Sequence, residues 1–102
     1  MDSINLESRI REIDFNYALA LKQAEKLEEV AERLRMCAAK LEEILDFGRI
    51  YWRSENAREY FIKASVWADE SRVAASNYVR TATAIRNIAE RLYNMEMEAV
   101  SK

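Results

Sequence analysis

Arg33, Cys37 and Lys40 stand four and three residues apart, so on a helix two cations would flank a thiol. In this chain of 102 residues that is the arrangement nearest to an activated nucleophile, because a neighbouring cation lowers a thiol pKa. Nothing else completes it. The absence of His removes Ser-His-Asp and Cys-His relays, most zinc sites and the Glu-x-x-His pairs of carboxylate-bridged di-iron bundles. Gly48 is the single glycine, so no glycine-rich loop can cradle phosphate. Glu25, Glu28, Glu29 and Glu32 could in principle serve acid–base chemistry, but carboxylates at such spacing far more often form a solvated helix face. Cys37 is the only cysteine and reads as a small helix residue beside an apolar stripe, with an intermolecular disulfide as its alternative. The expectation is a protein that is not an enzyme and carries neither metal nor cofactor.

The elements that would position these residues are two long helices. From Leu6 the apolar residues recur three and four apart: Leu6, Ile10, Ile13, Tyr17, Ala20, Ala24, Leu27, Ala31, Leu34, Ala38, Leu41 and Leu45. That a/d pattern predicts a coiled-coil-like helix over about 4–46. The pattern lapses at Asp46-Phe47-Gly48-Arg49, where Gly48 is placed to cap the helix in a left-handed conformation. A turn over about 47–54 follows, with Ser54 as N-cap of a second helix over about 55–100 and Glu55 in its favourable first turn. The second seam reads Ala57, Tyr60, Ala64, Trp67, Ser71, Ala74, Tyr78, Thr81, Ile85, Ile88, Leu92, Met95 and Ala99. Phe61, Ala68, Ala75, Ala82 and Ala89 form a row that flanks it. A short turn between two such helices predicts an all-α, antiparallel two-helix hairpin forming one domain over 1–102.

A lone hairpin has little interior. Val30, Cys37 and Ile44 line one flank of the first helix, and Ile62, Val66 and Val73 make a further row on the second. Together they predict that another hairpin covers the first, giving a dimeric four-helix bundle. Val30, Ile44, Ile62, Val66 and Val73 are the candidates for that face. The charge balance is close to even. Residues 1–46 carry 7 Lys/Arg against 11 Asp/Glu and residues 47–102 carry 9 against 7, leaving −2 overall and no basic footprint for nucleic acid. The opening Met1–Glu7 has neither a basic region nor an apolar core, so no signal peptide is expected there. No apolar run approaches the ~20 residues of a membrane span. The polar faces mix both charges, which fits helix-on-helix packing better than insertion at a lipid surface.

Trp52-Arg53-Ser54 falls in the turn between the helices, followed by Ala57, by Tyr60 and Phe61, and by Trp67. A central Trp-x-small turn in a chain of this length resembles the WXG family, the small helical hairpins of bacterial type VII secretion systems. The family signature is Trp-x-Gly, and Ser54 stands here in place of the glycine. Ser serves as an N-cap at least as well as Gly. The resemblance is specific over Tyr51 to Trp67 and generic over the rest of the chain. It implies secretion without a cleavable signal peptide, from a cytoplasmic pool, through an ATP-driven machine that includes a secretion ATPase. It also implies pairing with a copy of the chain or with a paralogous WXG-like protein. Many members carry Tyr-x-x-x-Asp/Glu after the second helix. The corresponding tail here is Tyr93-Asn94-Met95-Glu96-Met97-Glu98, with its acids three and five residues after the tyrosine. Tyr60, Phe61 and Trp67 are expected to build a packed end beside the turn, and Tyr93, Glu96 and Glu98 to form the export tail. The alternative function is a cytoplasmic helical adaptor or chaperone that binds a larger secreted toxin.

Overall fold

The computed structural model describes residues 3–101. Met1 and Asp2, which open the segment read as lacking a secretion signal, lie outside them. The protein is all-α, a helical hairpin in which α1 (Ser3–Tyr51) is followed by α2 (Glu55–Ser101), with no strand among the described residues. It divides into two compact units, Glu28–Val79 around the turn and Met1–Leu27 with Arg80–Lys102 around the chain ends.

In the turn unit the buried side chains are Ala31, Ala38 and Leu45 on α1 and Ala68 and Ala75 on α2, spaced seven apart on each helix. Heptad spacing keeps these residues on one stripe of each helix. Alanine presents only a methyl, so the two backbones approach closely and little else fits between them. The antiparallel direction follows from cross-helix pairs: Gly48 faces Phe61, and Glu42 is ion-paired to Arg72. A methyl-lined seam gains little burial per position, at about 0.8 kcal/mol per CH₂. The half-buried Leu34, Leu41 and Phe61 beside it therefore contribute much of the apolar contact.

The expected seam of α2 requires correction. Tyr60, Trp67 and Tyr78 are exposed, and the alanine row read as flanking is the line that packs on α1. The two stripes lie one residue apart, about 100° around the helix, so periodicity alone does not say which one meets the neighbour. Packing decides it. Indole and phenol rings between the helices would hold the backbones apart and strand Ala31 and Ala38, whereas Ala68 and Ala75 let both alanine rows close.

In the unit around the chain ends, Ile13 and Ala24 on α1 and Ala82 and Ala89 on α2 are buried. Tyr17 packs on Tyr93 with ring centroids 4.8 Å apart and planes inclined by 35°. Here too the bulky half of the expected α2 seam, Ile88, Leu92 and Met95, faces solvent.

The first helix runs five residues beyond its expected end at 46, to Tyr51, and the connection narrows to Trp52–Ser54. Gly48 lies within α1 and has no positive φ, so it is not the left-handed cap. Its carbonyl accepts a helical hydrogen bond from the Trp52 amide at 2.8 Å. It lies against the other helix instead: a Cβ there would sit 3.1 and 3.2 Å from the edge of the Phe61 ring.

Candidate functional site

Three residues reverse the chain. Ser54 is the N-cap of α2, as its position predicts. Its Oγ accepts from the Ala57 amide at 3.2 Å, and its carbonyl accepts from the Arg58 amide at 3.0 Å. The bond to the amide three residues on satisfies one of the donors that every helix start leaves open. Trp52 is 71% exposed and Arg53 is exposed as well. The turn therefore presents its aromatic residue outward instead of lodging it in the hairpin.

The residues expected to build a packed end separate into two groups. Phe61 is half-buried against Gly48. Tyr60 and Trp67 are 73% and 62% exposed. In an antiparallel pair, the position just before a buried residue projects to the same side of the hairpin on both helices. On α1 those positions in the turn unit are Val30, Cys37 and Ile44, before Ala31, Ala38 and Leu45; on α2 they are Tyr60, Trp67 and Ala74, before Phe61, Ala68 and Ala75. All six are uncharged, and they make one apolar flank. The opposite flank carries Glu32, Asp46 and Asp69, one residue after a buried position, with Ala39, Ile62 and Ser76 at the equivalent places, together with the Glu42–Arg72 ion pair. That pair is partly exposed, and its hydrogen bond draws the Glu42 carboxyl below its ordinary range and the Arg72 guanidinium above its own. Of the five face candidates, Val30 and Ile44 lie on the apolar flank, Val66 and Val73 lie on the side of α2 turned away from α1, and Ile62, one residue after Phe61, lies on the opposite flank.

A cleft of about 450 Å³ opens at that turn, lined by Arg49, Trp52, Arg53, Ser54, Arg58, Phe61 and Ile62. Arg49 is paired with Asp46 at 3.1 Å. Arg49, Arg58 and Ile62 were not singled out for this place from sequence. The signal that could have found them is the run of arginines bracketing Trp52.

The tail is helical as far as Ser101. Tyr93 is half-buried, and Asp14 raises its phenol above the ordinary tyrosine range, by the field of the carboxylate first and by accepting a hydrogen bond from the hydroxyl second. Glu96 and Glu98 are exposed. Cys37 is a free, exposed thiol. Among the described residues no cluster of three or more His, Cys, Asp or Glu is placed to hold a metal ion, and no helix is long and apolar enough to cross a membrane. Comparison with protein-family models, curated proteins and solved structures returns no match.

Proposed function

We propose that this chain is a non-enzymatic, WXG-like protein exported, or co-exported with a partner, by a bacterial type VII secretion system. In this reading its hairpin pairs with a copy of itself or with a paralogous hairpin to complete a four-helix bundle. The observation that carries the reading is the apolar flank with its exposed rings beside an outward-facing Trp-x-small turn. Tyr60 and Trp67 on that flank are 73% and 62% exposed, and Tyr51, seven residues after Ile44, and Tyr78, four after Ala74, extend it at 67% and 39%. At ~200 Å² per ring their exposed fractions come to roughly 480 Å². Val30, Ile44 and the half-buried leucines bring the total toward the ~800 Å² that each partner gives to a stable interface. Two hairpins laid flank to flank would cover these rings and leave the charged flanks in water.

The export reading is tested by replacing Trp52 with Ala. The variant keeps its helicity and disappears from the culture supernatant, as does the wild-type chain when the secretion ATPase is deleted. Normal export of the Trp52→Ala chain would remove the turn from the recognition role.

One observation favours the second reading, a cytoplasmic adaptor or chaperone for a larger secreted toxin. Tyr93 is held by Asp14 and Tyr17 and is not free to be read as part of a tail. An escort whose partner supplies the export signal has no need of a free tyrosine there. Retention in the cytoplasm together with co-purification of a larger secreted protein would select that reading.

A further inference from the structure

The excess of basic residues in this acidic chain is local. Residues 47–63 hold Arg49, Arg53, Arg58 and Lys63 against Glu55 and Glu59, a net +2, while residues 1–46 carry 7 against 11 and residues 64–102 carry 5 against 5. The stretch with that excess is the one that folds around the cleft at the turn. Three of its four cations line the cleft. Glu59 and Lys63 instead line a separate depression with Asn56 and Tyr60. Of the three arginines only Arg49 has a carboxylate partner; Arg53 and Arg58 make no ion pair among the described residues. The start of α2, with its unpaired amides, adds to the positive potential at the same place.

We propose that this cleft is a docking site for an acidic polypeptide segment. Arg53 and Arg58 would hold carboxylates, and the Trp52 ring with Ile62 would receive an adjacent apolar side chain. A guanidinium matches a carboxylate in a planar, two-pronged geometry, which is why arginine suits this contact. The exposed indole offers apolar area at small entropic cost. A small free anion would gain little in so open a cleft. A peptide engages both cations and the apolar wall at once. Nucleic acid fits less well, since a backbone requires an extended basic stripe and the cleft offers two unpaired arginines. The proposal goes beyond export and does not depend on it, because the contact is a property of the purified chain.

The test is direct binding to the full chain, read as fluorescence anisotropy of a labelled peptide of alternating Glu and Leu, with its Gln/Leu counterpart as control. The Glu peptide is expected to bind saturably and to weaken as salt is raised, while the Gln peptide does not bind. Arg53→Gln and Arg58→Gln each weaken binding on the order of tenfold with unchanged circular dichroism, and Arg91→Gln, which belongs to the other unit and does not line the cleft, leaves it unaltered. Binding that survives in the Arg53→Gln, Arg58→Gln double variant overturns the site. Absence of saturable binding overturns the proposal outright. Competition by inorganic phosphate or by single-stranded RNA at the concentration where the Glu peptide half-saturates would also overturn it, by making the cleft a general anion site. None of these results bears on secretion, so a failure here and a failure of the export test remain separate.

Discussion

Replacing Ala75 with Leu tests the alanine seam most sharply. Ala75 is fully buried, and the α1 residues sharing the seam in its unit include Ala31 and Ala38, which are buried to the same degree. Three added carbons have nowhere to go unless the helices part. Helix propensity barely changes, since Leu follows close behind Ala. Overpacking a closed contact costs about 1–3 kcal/mol, and a two-helix layer has no second layer to take up the displacement, so about 2 kcal/mol is expected. With a urea dependence of ~2 kcal/mol/M that corresponds to a loss of about 1 M in the midpoint. Ala39 lies on the same helix as the α1 seam but is exposed. Ala39→Leu should leave the midpoint within about 0.2 M of the parent, because a surface change away from special features alters stability little. The assay is urea unfolding followed by far-ultraviolet circular dichroism, with all chains at one concentration. Equal midpoints for Ala75→Leu and Ala39→Leu would refute the seam, since they would mean that space exists where the structure has none.

Further expectations are local. Ser54→Ala removes the hydrogen bond to the Ala57 amide and should cost about 1 kcal/mol in the same assay; Ser54→Gly should cost only a few tenths. Gly48→Ala gains about 0.5–1 kcal/mol of helix propensity, because the half-exposed Phe61 ring can give the few tenths of an ångström that a methyl needs. A net loss would show that the ring is pinned. For Glu42 the folded-state pKa is depressed by Arg72, so its contribution is present above the unfolded value of 4.5 and is lost as pH falls through the folded one. The wild-type midpoint should therefore drop more steeply than that of Glu42→Gln below pH 4.5, by a small amount because the pair is partly exposed. Parallel acid limbs would remove the ion pair from the stability of the hairpin.

The first helix was legible because one stripe dominates it: the spacing from Leu6 to Leu45 marks Ile13, Ala24, Ala31, Ala38 and Leu45, all of which are buried. Ser54 was legible because an N-cap is decided within four residues of chain. The second helix carries two apolar stripes one residue apart, and the bulkier one drew the reading. Which stripe meets α1 depends on how closely two backbones can approach, a tertiary property that neither helix encodes alone. Gly48 misled for a related reason, since its proximity to the turn matches a cap while it lies inside α1 against Phe61 of the other helix. The pairing of Tyr93 with Asp14 and Tyr17 joins residues nearly eighty positions apart in the chain, and no local pattern announces it.

The flank of exposed rings leads to the decisive measurement, the thermal midpoint of the purified chain as its concentration is varied. If a second hairpin completes the fold, unfolding is coupled to dissociation and the midpoint rises with concentration. Trp67→Asp, placed in the middle of that flank, should lower the midpoint and reduce its dependence on concentration. A high midpoint that does not move with concentration, in a species whose mass by sedimentation is the 12.0 kDa of one chain, would contradict the account.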